Sequence, residues 1–369
     1  MSIKVVPQMN ASVLCIRIGA FLVVKNSEKM GGINMKKSVA KIVALGLLMG
    51  LTAGCGNSST ASSGEVAAAP STEAKEGMKK VAIVQYVEHP SLDTIRESTI
   101  KALAEQGFVE GQNITIDYQN AQADQSNLNS IASKFVGDKA DIIIAIATPA
   151  AQSVASATTD IPIIFSAVTD PLGAKLVENM EAPTSNVTGT SDAIPVDQVF
   201  ELCKELTPDV KTIGFLYTAS ETNSQSVIEQ AKALADKYGF TYEESTITNT
   251  SELQQAAEIL AGKVDAIYTP IDNGIASAMP VLAEVGKTAG IPVYVGADSM
   301  VADGGYATVG INYEDLGKKT GEMAAQVLNG TSISEIPVAT LDNFYKVINK
   351  TTATAIGAPA DSEGATIVE

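Results

Sequence analysis

Ile161-Pro162-Ile163-Ile164-Phe165-Ser166-Ala167-Val168-Thr169-Asp170 is echoed further along the chain by Ile291-Pro292-Val293-Tyr294-Val295-Gly296-Ala297-Asp298. Each stretch is a short apolar run entered through proline and left through a small residue and an aspartate, the pattern of a buried parallel strand ending in a βα turn. Upstream, the same elements recur in the same order. Val81-Ala-Ile-Val-Gln-Tyr86 is matched by Thr212-Ile-Gly-Phe-Leu-Tyr217; Asp141-Ile-Ile-Ile144, running on to Thr148-Pro149-Ala150, is matched by Asp265-Ala-Ile-Tyr268, running on to Ile271-Asp272-Asn273. A single alternation of strands and helices fits many folds, whereas a duplicated one implies two lobes of like topology. The expected fold class is α/β, two similar doubly wound parallel-sheet lobes. In the first lobe, strands are expected over Val81–Tyr86, Ile114–Tyr118, Ile142–Ala147 and Ile163–Ser166. Helices are expected over Leu92–Glu105, with Ser91 as its N-cap and Gly107 closing it, and near Asn127–Val136 and Pro149–Ala157.

The chain has 369 residues, 45% of them hydrophobic, enough for one large core or two moderate ones. Its formal charge of −17 is unevenly spread, because the residues before Cys55 carry seven basic side chains against one acidic. The remainder is therefore strongly acidic and unsuited to nucleic acid or an anionic membrane surface. Three cysteines and one histidine, His89, are too few for a disulfide framework or a His-rich metal centre, so neither a metal nor a cofactor is expected. Cys203, in the apolar-periodic run from Phe200, reads as an inert buried thiol. No Gly-x-Ser-x-Gly elbow or phosphate-cradling Gly-Lys-Ser/Thr loop is present, and His89 has no nucleophile beside it, so catalysis is not expected.

The N-terminal part reads as an address. From Met35 the chain runs Met-Lys-Lys-Ser-Val-Ala-Lys, then the apolar stretch Ile42–Leu51, then Thr52-Ala53-Gly54-Cys55. A basic start, an apolar run too short to span a bilayer and small residues before a cysteine describe an export signal over 35–54, with Cys55 as the site of lipidation. Residues 1–34 fit no signal pattern, and Met35 is the expected start. A tether rich in Ser, Ala, Thr, Gly and Glu follows to Gly77. A helix-turn-helix would occupy this place in a transcriptional regulator. The chain is expected at the extracytoplasmic face of the cell membrane, held by its lipid anchor.

Ligands of open parallel sheets bind beyond the carboxyl ends of the strands. The residues there form the candidate site: Gln85, His89, Leu92, Thr148, Pro149, Ala150, Ala151, Ala167, Thr169 and Asp170 from the first unit, and Tyr217, Glu221, Asn223, Asp272, Asn273 and Asp298 from the second, with Ser191 and Asp192 between them. Beyond Cys55 the only arginine is Arg96, placed inside a helix, so an arginine clamp on a ligand carboxylate is disfavoured. The start of the helix at Thr148-Pro149-Ala150-Ala151 is the alternative anion site, with free N–H groups and a favourable dipole. A ligand ammonium would then face Asp272, Asn273, Asp298 and Glu221. With no tryptophan and 5% aromatic residues, sugar-stacking platforms are poorly supplied.

Five further stretches narrow the reading: Ala147-Thr-Pro-Ala-Ala-Gln152, Ala167-Val-Thr-Asp-Pro171, Gly189-Thr-Ser-Asp192, Tyr268-Thr-Pro-Ile-Asp-Asn273 and Gly310-Ile-Asn-Tyr-Glu-Asp-Leu-Gly317. In order and spacing they resemble the substrate-binding family of ABC transporters that includes tryptophan and tyrosine importers, over about Lys79–Gly357. That resemblance implies a type I periplasmic-binding-protein fold with three hinge crossovers, expected at Gly189–Pro195, Ala307–Asn312 and Ser334–Val338. The lobes would comprise 78–190 with 312–336, and 191–311 with 337–360. It further implies a monomer that closes on an aromatic or related amino acid and hands it to a permease and its ATPase. A sensory protein of the same fold, or an importer of a purine or organic acid, reads the same way from sequence.

Overall fold

The computed structural model describes residues 77–369; the leader, export signal, Cys55 and all of the tether but Gly77 lie outside the described residues. The first half runs β1 (Lys79–Gln85), α1 (Pro90–Glu105), β2 (Ile114–Asn120), α2 (Gln125–Gly137), β3 (Ile142–Ile146), α3 (Thr148–Ala157), β4 (Ile163–Ser166) and β5 (Val187–Gly189). These strands form one parallel sheet in the order β2-β1-β3-β4-β5. After α4 (Val196–Leu206) come β6 (Thr212–Thr218), α5 (Thr222–Tyr238), β7 (Thr241–Ile247), α6 (Leu253–Ala261), β8 (Ala266–Thr269), α7 (Asn273–Ser277), α8 (Met279–Ala289), β9 (Val293–Val295), α9 (Asp298–Ala302) and β10 (Ala307–Gly310).

The second sheet repeats the first strand for strand, β7-β6-β8-β9-β10 against β2-β1-β3-β4-β5. It is then extended by β11 (Tyr345–Asn349), antiparallel to β10, and by β12 (Thr366–Val368) beyond it. The duplication read from sequence is thus a duplication of topology. The central strands are apolar on both faces because helices cover both, and every residue of β3 is buried. Cys203 is a buried free thiol, its pKa raised by burial.

The chain passes between the sheets three times. It leaves β5 for α4, leaves β10 for α10 (Tyr313–Leu328), which packs along α1, and returns to β11, followed by α11 (Lys350–Ile356). Gly317 and Gly321 let α10 approach α1 closely: a Cβ at either would stand 2.6 Å from α1 atoms. Thr99 donates to the Gly317 carbonyl at 3.0 Å across this contact. The third passage falls later than expected, since the N–H groups of Val338 and Ala339 still donate to Met180 and Gly189 beside the first sheet. The start of α1 also needs correcting. Pro90 occupies its first turn and His89, extended, is the N-cap; Ser91 lies within the helix and does not cap it.

Candidate ligand-binding cleft

The carboxyl ends of both sheets face one another, and several contacts join them. The Ser91 and Ser299 hydroxyls meet at 2.6 Å, His89 Nε2 lies 3.4 Å from Asn273 Oδ1, Thr222 donates to Gln152 Oε1 at 3.4 Å, and Ser226 donates to Asp170. The lobes therefore stand closed. Between them lies a small, tightly closed cavity walled by His89, Ser91, Leu92, Asp192 and Tyr313 on one side and by Ile271, Asp272, Asn273, Ala276, Ala297 and Met300 on the other.

Buried polar atoms without a partner mark where a ligand's polar groups would be met. Among the described residues these include His89 Nδ1, Thr148 Oγ1, Asn223 Oδ1 and Tyr313 Oη. The first three belong to residues expected from sequence. Thr148 opens α3, whose N-cap, Ala147, offers no side-chain hydrogen bond, leaving the first-turn N–H groups open to an anion. Ala147 at φ +80° and Ala167 at φ +54° hold left-handed backbone at the ends of β3 and β4. Such strain in non-glycine residues concentrates at ligand sites. Pro149, Ala150 and Ala151 are buried in the first turn of α3. The α3 helix contacts α5, and Thr222, between Glu221 and Asn223 at the start of α5, donates to Gln152, one turn beyond Thr148 on α3.

The charge of the cleft is one-sided. Asp192, Glu221 and Asp272 are all buried, and among the described residues no lysine or arginine is. Burial, and then the charge of Asp272, push Glu221 up to about 8, although four N–H groups from Asn223, Asn273 and Gly274 donate to it. Asp192, which accepts the Thr169 hydroxyl at 2.8 Å, is pushed by burial up to about 6. His89 is pushed down to about 4 by burial and is neutral. Such a site disfavours a second anion beside these carboxylates and favours a cation.

Other expected residues are committed elsewhere. Asp272 accepts from the N–H groups of Thr218 and Ile275 and from the hydroxyls of Thr218 and Ser224, so it anchors the β6–α5 and β8–α7 turns rather than standing free for an ammonium. Asp298 accepts from Tyr345 at 2.6 Å and from its neighbour's N–H, in an outer groove rather than the cavity. Tyr217 donates to Glu244 at 2.7 Å, and Gln85 is bound by Arg96 and Asp93. Asp170 caps Gly173 and takes the Ser226 hydroxyl, a lobe-to-lobe strap. Ser191 donates to the Thr169 carbonyl. Leu92 lines the cavity as expected, whereas Tyr313 was missed; it lies in the quoted Gly310–Gly317 motif, but only the crossover into α10 brings it here.

Comparison with known proteins fits this architecture. A family model described as "ABC transporter substrate binding protein" matches residues 80–361. A curated relative, the tyrosine-binding protein of Clostridioides difficile strain R20291, is 44% identical over 325 residues, 88% of this chain and 93% of that protein. Among solved structures, an ABC domain from Streptococcus pneumonia in complex with L-Trp superposes with a TM-score of 0.76 at 41% identity, over 79% of this chain and 100% of that one. The ligand-free, open structure of a substrate-binding protein with adhesive properties from Clostridium difficile is more similar in sequence, 46%, over 79% of this chain and 99% of that one, yet its TM-score is 0.62. The better fit to the ligand-bound relative agrees with closed lobes. The chain belongs to the ABC transporter substrate-binding protein family, extracytoplasmic proteins of the type I periplasmic-binding-protein fold that bind a small molecule and work with an ABC permease.

Proposed function

We propose that this chain captures an aromatic amino acid in the closed cleft, as a monomer tethered to the cell membrane through lipid on Cys55, and delivers it to a permease and its ATPase. The cleft divides into two halves that suit such a ligand. The polar half lies where the start of α3 faces Glu221 and Asn223: the open N–H groups and Thr148 hydroxyl take the carboxylate, and Glu221 with Asn223 Oδ1 takes the ammonium. The other half is the cavity walled by Leu92, Ile271, Ala276, Ala297 and Met300, with His89, Ser91, Asp192, Asp272, Asn273 and Tyr313 as its polar groups. Asn273 joins the halves, bonded to Glu221 and facing His89. The observation that carries the reading is the set of unpartnered buried polar atoms on both lobes around an acidic cleft that, among the described residues, contains no buried lysine or arginine. The ligands in the names of the tyrosine-binding relative and the L-Trp complex support the aromatic class.

The test is a thermal-shift and calorimetric screen of refolded, ligand-stripped protein against the twenty amino acids, nucleosides, sugars and small organic acids. A ligand at 100 times its Kd adds about 2.7 kcal/mol of stability. A response confined to aromatic amino acids is expected; a response only to another class would overturn the assignment. Acylation is checked by the mass of the membrane-bound protein, which should lose its lipid in Cys55→Ala.

A further inference from the structure

The hydrogen-bond polarity of the cavity can be worked out atom by atom. Glu221 Oε2 already accepts from the Asn273 backbone N–H and the Asn223 amide, so the Asn273 amide turns its NH2 toward that oxygen and its Oδ1 toward His89. An oxygen there requires the proton of His89 on Nε2. With the ring neutral, Nδ1 is left as a bare acceptor, and it is buried with no partner. Asp192 lines the same cavity, and among the described residues Thr169 is the one side chain that donates to it. Tyr313, also lining the cavity, has an unpartnered hydroxyl, and the neighbouring Ser91 hydroxyl is already engaged with Ser299. Ser91, Asp272 and Asn273 being engaged with other partners, the polar groups left to a ligand at the cavity are two acceptors and one hydroxyl, set among apolar walls.

We infer that His89 and Asp192, with Tyr313 beside them, select a ligand whose aromatic side chain carries a hydrogen-bond donor, a phenol O–H or an indole N–H, and reject phenylalanine. This deepens the proposed aromatic-amino-acid site and rests on it. A buried acceptor left facing a bare ring loses its hydrogen bonds to water and gains none, so the cost falls on the phenylalanine complex. Sites built to bond such a group discriminate far more strongly than apolar pockets that differ by a methylene.

Calorimetry of the full chain in mild detergent with L-tyrosine, L-tryptophan and L-phenylalanine tests this, first on the wild type and then on Asp192→Leu and His89→Phe. The wild type is expected to bind tyrosine or tryptophan at least about 100-fold more tightly than phenylalanine. Each variant is expected to compress that ratio about tenfold or more, from both ends: the donor ligand weakens and phenylalanine tightens. The ratio is the readout, so a uniform loss of affinity from poorer closure leaves it unmoved and counts against the inference. Equal binding of all three ligands by the wild type would overturn the inference while leaving the aromatic site standing. Binding of none would overturn both.

Discussion

Ser226 offers a way to weaken closure without touching the ligand. Its hydroxyl, on α5 of the second lobe, donates to Asp170, at the end of β4 in the first, and Asp170 keeps its separate bond to the Gly173 N–H if the hydroxyl is removed. Ser226→Ala therefore deletes one lobe-to-lobe bond and leaves each lobe's own bonds in place. A hydrogen bond to a charged group contributes about 1.5–3 kcal/mol. This pair is only partly buried, so about 1 to 1.5 kcal/mol is the better figure. Ligand affinity is the intrinsic affinity of the closed form scaled by how readily the chain closes. If the free protein is mainly open, the whole loss appears as a Kd raised roughly five- to tenfold. Calorimetric titration with the ligand found in the screen measures this, with the unfolding temperature of the ligand-free protein as the control. Unchanged affinity would refute the strap. An unfolding temperature lowered as much as the ligand-bound one would also refute it, by showing that the bond stabilises a single lobe.

Two further outcomes follow from the cleft. Glu221 has a folded-state pKa raised from 4.5 to about 8, so the native state holds its proton where the unfolded chain has lost it, and stability falls as pH rises through that window. Asp192 contributes with the same sign up to about 6, and His89, depressed from 6.5 to about 4, contributes with the opposite sign below 6.5. Between pH 6.5 and 8 Glu221 acts alone, so urea unfolding of the ligand-free protein should show stability declining with pH there, and Glu221→Gln should flatten the slope. Gly296→Ala should abolish ligand binding in calorimetry and lower the unfolding temperature, because its Cβ would lie 2.3 Å from the Ile271 backbone nitrogen, at the wall of the cavity.

The repeated strands were legible because burial on both faces leaves little choice of residue: β3 is Ile-Ile-Ile-Ala-Ile, all of it buried. β7 was not, since as an edge strand it exposes Tyr242, Glu243 and Glu244 and reads as a polar segment. The same contrast governs the site. The rule that ligands gather at strand ends singled out His89, Thr148 and Asn223, each of which has a buried polar atom without a partner in the folded chain. It could not separate these from Asp272, Asp298 or Gln85, which occupy similar positions. What commits those three is a partner on another element of the fold, Thr218 and Ser224, Tyr345, and Arg96 respectively. Local sequence carries no record of such pairings. Tyr313 was hidden for a related reason, since it enters the cavity only because the chain crosses from one sheet to the other just before it.

The distribution of these commitments explains why a duplicated fold need not give a symmetric cleft. After β4 the first lobe keeps Ala167 in left-handed backbone and sends Asp170 across to Ser226; after β9 the second lobe has Gly296 beneath the Ile271 backbone and holds Asp298 outside the cavity with Tyr345. The open helix start is on the first lobe, at Thr148. Its counterpart on the second, at Asn273, is closed by Asp272 as N-cap and by Glu221 accepting the next N–H groups. One lobe therefore presents donors to an anion, while the other has filled the equivalent place with its own carboxylates. An amino acid carries both charges a short distance apart. In the proposed pose its carboxylate would meet the N–H groups that lack acceptors and its ammonium the carboxylates that lack a cation, so bringing the lobes together would be favoured most with the ligand between them.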